Sequence, residues 1–202
     1  NCRSFTAGTY SKLTEFRKKV SQNIEVMLQA ELSDLNMASA KFKVSFLKEE
    51  KVSKNGKDSI EFLIATNVGQ DYKTLTKIAS GGEVSRIMLA LKTIFSKVDN
   101  IPILIFDEID IGVGGETVRK IAGKLKEIGK HAQVICITHS PQIAAKATQQ
   151  FYIEKNVVAN TTVTTVRELN QEERVREIGR MLAGENITDT VLSHALELLK
   201  ED

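Results

Sequence analysis

Ile101-Pro102-Ile103-Leu104-Ile105-Phe106-Asp107-Glu108-Ile109-Asp110-Ile111-Gly112-Val113-Gly114-Gly115 is the stretch on which the reading of this chain turns. Ile103 to Phe106 are large and apolar at every position, and Asp107 and Glu108 follow without a gap. A short run that is apolar on both faces predicts a central strand of a sheet covered on both sides, ending where the acids begin. Asp107 and Glu108 then stand at the carboxyl end of that strand, the edge where open α/β sheets bind ligands. Two acids there point to a metal and a water to be activated; the alternative is a strand followed by a plain acidic turn.

The totals set the frame. With 202 residues, two prolines and 42% hydrophobic content, the chain suits one well-buried domain or one domain with an appendage. No apolar run reaches the roughly 18 residues needed to cross a bilayer, and no cationic stretch leads into an apolar segment, so a cytoplasmic protein with no membrane partner is expected. Cys2 and Cys136 do not form a disulfide framework, in keeping with a reducing compartment. The net charge of +2 does not by itself point to nucleic acid.

Outward from the central stretch, periodicity supplies the other elements. Residues 1–9 carry no pattern and are expected to be a tail. From Tyr10 to Asn36, apolar residues recur every three or four positions, predicting a long amphipathic helix. The near-heptad set Leu13, Phe16, Val20 and Met27 suits either the root of a coiled coil or a helix packed on a sheet. Phe42, Val44 and Phe46, then Ile60, Phe62 and Ile64, alternate with polar residues around Asn55-Gly56, which predicts a β-hairpin. Ser80-Gly81-Gly82-Glu83 precedes a helix whose expected inner face is Val84, Ile87, Met88, Leu91, Ile94, Phe95 and Val98. Bare amides at a helix start can hold an anion, although a glycine pair is also a common entry turn.

Beyond Gly115 the chain predicts a helix over Glu116 to Lys130, a strand over Val134 to Ile137, and then Thr138-His139-Ser140-Pro141. Strand, helix, strand is the parallel crossover unit, so both strands deliver their last residues to one edge. That logic brings His139 to the edge carrying Asp107 and Glu108. A short helix, a hairpin from Phe151 to Leu169, and helices over Glu172 to Leu182 and from Thr188 complete the chain, with Gly184 as a helix stop.

Phosphoryl transfer to water requires a divalent cation, a group that orients or deprotonates the water, and donors for charge on the γ-phosphate. Asp107 suits a magnesium shell shared with waters, Glu108 the general base, and His139 the γ-phosphate contact. A phosphate loop, Gly-x-x-x-x-Gly-Lys-Ser/Thr, is absent from the sequence. The nucleotide site is therefore expected to be incomplete in this chain.

Ser80-Gly81-Gly82-Glu83, Ile103 to Glu108 and His139, in that order and spacing, resemble the signature motif, Walker B motif and switch histidine of ATP-binding-cassette ATPases. The wording around them, Lys77 to Arg86, Phe106 to Gly115 and Ile137 to Gln142, resembles the DNA-repair branch of the SMC-like members of that class. The resemblance also covers Glu172 to Val175, Met181 to Gly184 and Ile187-Thr188. It implies an α/β fold, half of an ABC/SMC-type P-loop NTPase head, with a mostly parallel sheet flanked by helices and antiparallel hairpins. In that reading 10–36 is the root of a coiled-coil arm and 37–202 the C-terminal lobe of the head.

The same resemblance implies ATP and magnesium as ligands, with Asp107, Glu108 and His139 acting on nucleotide held partly by an N-terminal lobe of the same protein. Ser80, Gly81, Gly82 and Glu83 would meet the γ-phosphate of nucleotide on a second head, making an ATP-bridged homodimer. Most SMC-like proteins carry an aspartate seven residues after the Walker B aspartate, where this chain has Gly114. Two functions follow as expectations: an ATPase half-site serving double-strand-break repair and recombination in a cytoplasmic, nucleoid-associated protein, or an ATP-gated clamp on DNA ends with little hydrolysis. Lys12, Arg17, Lys18 and Lys19, or Arg174, Arg176 and Arg180, are the candidates for a DNA-facing surface, against the usual reading of helix-surface charges as merely solvated.

Overall fold

The computed structural model describes residues 2–78, 80–95, 98, 101–158 and 161–201. The chain divides into two compact units, Asn1–Asn100 and Ile101–Asp202.

The first unit contains α1 (Cys2–Asp34), β1 (Lys41–Ser53), β2 (Gly56–Ala65), β3 (Lys73–Thr74), a 3-10 turn (Leu75–Lys77) and α2 (Gly81–Phe95). Helix α1 begins earlier than periodicity predicts and takes in residues 2–9 of the expected tail, whose first residue lies outside the described residues, because backbone helix can propagate through a segment with no amphipathic stripe. Its C-terminal half packs on the hairpin: Leu28 and Leu32, with Leu35 just past the helix end, are fully buried, and Phe42, Val44, Ile64 and Ala65 are buried in the sheet. The heptad residues Phe16, Val20 and Met27 are exposed instead. Asn36 adopts a left-handed φ of 59°, and the Met37 amide reaches back to the Leu32 carbonyl at 2.9 Å, closing the helix end.

Strands β1 and β2 pair antiparallel with Phe42 opposite Ile64 and Val44 opposite Phe62. The period-2 pattern is obeyed, with Lys41 and Lys43 turned to solvent. The rings of Phe42 and Phe62 lie 5.4 Å apart, tilted by 60°. At the hairpin turn Gly56 has φ of 102°, and a Cβ there would stand 3.2 Å from Arg17 Nη1 and 3.3 Å from Leu13. Glycine is required at that position both for backbone conformation and for the approach of α1.

Helix α2 opens at the glycine pair as expected, with Ile87 and Leu91 on its inner face. Met88 and Val98 are exposed, while Leu89 and Ala90 are buried in place of the expected Met88.

The second unit contains β4 (Ile103–Asp107), α3 (Gly115–Ile128), β5 (Gln133–Ile137), α4 (Pro141–Lys146), β6 (Phe151–Val158), β7 (Thr161–Glu168), α5 (Gln171–Ala183) and α6 (Asp189–Lys200). β4 and β5 are parallel, in register from Ile103 opposite Gln133 to Asp107 opposite Ile137. The crossover helix α3 buries Val118, Ile121, Ala122, Leu125 and Ile128.

The expectation of a strand covered on both faces is corrected here. Phe106 is buried, but Ile103, Ile105, Ile135 and Ile137 are exposed, Ile105 by 68%. A crossover helix returns over one side of a strand pair, and the apolar residues of the opposite side remain bare in this chain. The β6–β7 hairpin is likewise exposed along β7 and, among the described side chains, along β6 except at the half-buried Tyr152.

Helices α4, α5 and α6 form a separate core of Ala144, Ala145, Ile178, Ala195 and Leu198, with Val175, Met181, Leu182 and Leu199 at its margin. Asn170 and Glu173 form a reciprocal capping box at the start of α5. The backbone amide of Asn170, and then Arg167, hold the Glu173 carboxyl below its ordinary range. Gly184, with φ of 68°, ends α5 at the residue expected. Among the described residues no helix is long and apolar enough to cross a membrane.

Candidate functional site

The site is built where β4 and β5 end. Asp107 is the last residue of β4 and is exposed. The next residue, Glu108, is also exposed and has φ of 56°, in the left-handed region that a residue with a side chain seldom occupies. This conformation turns the chain sharply off the strand, and such locally costly backbone clusters at functional sites. The turn continues through Gly112, with φ of 73°, and the Ile111 amide donates to the Glu108 carbonyl at 3.3 Å.

Because Asp107 stands opposite Ile137 in a parallel pair, Thr138 and His139 emerge beside Glu108 and the turn that follows it. Asp107, Glu108 and His139 therefore share one edge, as the strand-helix-strand order requires. Ser80, Gly81, Gly82 and Glu83 belong to the other unit, at the start of α2. There Ser80 caps the helix: its carbonyl accepts from the Val84 amide at 3.0 Å and its hydroxyl from the Glu83 amide at 3.4 Å.

A third acid stands behind the edge. Asp110 is 4% exposed, although a carboxylate is seldom buried without a partner. Thr138 Oγ1 donates a short hydrogen bond to Asp110 Oδ2, and the Ser140 amide donates to Thr138 Oγ1 at 2.9 Å. His139 Nδ1 lies 3.5 Å from the same Asp110 oxygen, while its ring is 75% exposed. Sequence reading noted Asp110 as an acid without giving it a role, and passed over Thr138. The available signal was weak: an acid three residues after Asp107 and a hydroxyl immediately before the histidine.

Cys136, on β5 opposite Phe106, feels this carboxylate cluster. Burial first, then the charges of Asp110 and Asp107, push its thiol up to about 12. An ordinary thiol ionises near 8.5 and reacts as thiolate, so at pH 8.5 Cys136 holds about a thousandfold less thiolate than in the unfolded chain. Iodoacetamide labelling followed by mass spectrometry of the Cys136 peptide should show correspondingly slow alkylation until denaturant is added. Equal rates before and after unfolding would contradict the burial and the acidic surroundings.

The basic candidates divide. Arg17 pairs with Asp58 at 3.2 Å. Arg174 turns inward and donates to the Ala147 carbonyl at 2.6 Å, and burial holds its guanidinium below the usual arginine range. Arg180 makes two bonds to Glu177, at 2.7 and 2.8 Å, which raise its affinity for the proton. Lys12, Lys18, Lys19 and Arg176 are exposed. The expected clusters are thus partly engaged in local structure.

Residues 10–165 match the family described as RecF/RecN/SMC N terminal domain, and the chain belongs to that family. Within it, the chain is similar to curated proteins named DNA repair protein RecN. It is 44% identical over 191 residues to that of Halalkalibacterium halodurans, covering 93% of this chain and 34% of the relative. It is 40% identical over 207 residues to that of Bacillus subtilis, covering 95% and 36%. The chain spans about a third of the length of these relatives. The fold is also that of solved SMC heads: an Smc head domain with a coiled coil and joint from Pyrococcus yayanosii aligns with a TM-score of 0.53 at 22% identity, over 83% of this chain and 30% of that one.

Proposed function

We propose that this chain is the C-terminal lobe of the ATPase head of an SMC-like DNA repair protein, supplying the hydrolytic edge to a nucleotide held by an N-terminal lobe of the same protein. The observation that carries this reading is the bare apolar face of β4 and β5, Ile103, Ile105, Ile135 and Ile137, on the strands that end in the acids. About 25 cal/mol is gained for each Å² of such surface removed from water, so a second lobe bearing the missing phosphate loop is the natural cover.

Asp107 would take part in the shell of a hydrated magnesium ion. Asp107, exposed at the end of β4, offers one hard oxygen donor, which suits magnesium held by one carboxylate, waters and phosphates. The ion would neutralise phosphate charge. Glu108 would orient and deprotonate the attacking water, and His139 would contact the γ-phosphate. Ser80, Gly81, Gly82 and Glu83 would face the γ-phosphate on a second head, so that ATP joins two heads into a homodimer. DNA, as ends or single strands, would be the partner of the longer protein.

The test joins this chain to a lobe containing the phosphate loop, by co-expression, and measures ATP hydrolysis together with mass by light scattering. ATP-dependent doubling of mass and turnover are expected in the wild type. Ser80→Arg should leave the heads monomeric with ATP and should suppress hydrolysis. Normal dimerisation of that variant would remove the signature turn from the interface.

A further inference from the structure

We propose that Asp110 is the positioning residue for His139, holding the ring by its Nδ1 edge so that Nε2 is the nitrogen presented to the reacting phosphate, to which it donates when the ring carries both protons. The role given to His139 rests on the ATPase reading above; the hold on its ring does not.

The argument begins with an expensive side chain. Asp110 is removed from water, its Oδ1 is buried without a hydrogen-bond partner, and its Oδ2 receives the Thr138 hydroxyl. A carboxylate kept in that position needs donors, and the donors at hand belong to the residue pair Thr138 and His139. Thr138 Oγ1 is used twice, giving its proton to Asp110 and accepting the Ser140 amide. The backbone on both sides of His139 is thereby tied to one carboxylate 28 residues away.

The histidine completes the arrangement from its own ring. Nδ1 lies 3.5 Å from Asp110 Oδ2, longer than a formed hydrogen bond but within reach of one after a small ring rotation. Hydrogen bonds of catalytic groups are often long before substrate is bound. A carboxylate behind a functional histidine fixes both the tautomer and the plane of the ring, as it does for histidines in triads and metal sites. The exposed imidazole, otherwise free to rotate about two torsions, is then held in one orientation.

The experiment reads the ring directly. Long-range 1H–15N spectra of the chain, at a pH where the ring is neutral, should show the proton of His139 on Nδ1. Asp110→Ala should shift it to Nε2, the form preferred by free histidine. A wild-type ring protonated on Nε2 would overturn the proposal, and this arm needs no variant to fold.

In the two-lobe assembly, Asp110→Ala should lower kcat about tenfold with little change in KM, as loss of a partner behind a functional histidine does. It should cost nothing further in a His139→Ala background. Independent, multiplicative losses would mean that Asp110 acts other than through His139. If the wild-type assembly hydrolyses no ATP, the ATPase reading fails while the tautomer still decides this one.

Discussion

Glu108→Gln is expected to lower ATP turnover by the two-lobe assembly about a hundredfold to ten-thousandfold, the range contributed by a positioned general base. ATP-dependent dimerisation should persist. The substitution keeps the shape of the side chain and removes its ability to take a proton. The backbone gives no reason for a folding defect: φ of 56° at this position is as costly for glutamine as for glutamate, so the strain is unchanged. Glu108 is also exposed, so no buried partner is stranded. Asp107→Asn should behave differently, because a weakened magnesium shell reduces nucleotide affinity as well as turnover. The measurements are steady-state hydrolysis and light scattering with ATP. Unchanged turnover in Glu108→Gln would place the base elsewhere.

The second large effect concerns stability. Asp58→Ala should destabilise the first unit by about 2 kcal/mol, read as a shift in urea unfolding. The Asp58 side chain is 6% exposed and accepts the Thr14 hydroxyl at 2.8 Å on each oxygen and Arg17 Nη1 at 3.2 Å. Hydrogen bonds to a charged group contribute about 1.5–3 kcal/mol, more than an exposed ion pair. Truncation also leaves the Arg17 side chain, 25% exposed, without its carboxylate, whereas the single Thr14 hydroxyl proton can turn to the Tyr10 carbonyl, 3.0 Å away. Asp58→Asn retains an acceptor for Thr14 and should cost about half as much. A loss below about 0.5 kcal/mol for Asp58→Ala would mean that α1 is held to the hairpin by apolar contacts alone.

These two sites differ in how far they could be read in advance. Glu108 follows an unbroken apolar run, and the change from Phe106 to Asp107 marks the end of the strand without any knowledge of its neighbours. His139 was placed beside it because a crossover helix constrains two strands to run the same way. Asp58 carried no such mark. It is one acid in a charged stretch, and its partners Thr14 and Arg17 lie 44 and 41 residues away. The heptad spacing of Phe16, Val20 and Met27 was ambiguous for a similar reason: periodicity reports which side of a helix is apolar, not what meets it. In the fold, the neighbouring stripe of Leu28, Leu32 and Leu35 is the one buried.

Sequence by itself determined the order of elements, the shared edge of Asp107, Glu108 and His139, the helix start at Ser80-Gly81-Gly82 and the absence of a phosphate loop. Each depends on local pattern or on the handedness and direction of short connections, which chain chemistry dictates. Tertiary structure alone decided that one face of β4 and β5 is bare, that Asp110 is buried behind His139, and that Arg174 turns inward onto the Ala147 carbonyl. Those outcomes depend on which surfaces are covered and on hydrogen bonds between residues distant in the chain, and neither leaves a periodic trace.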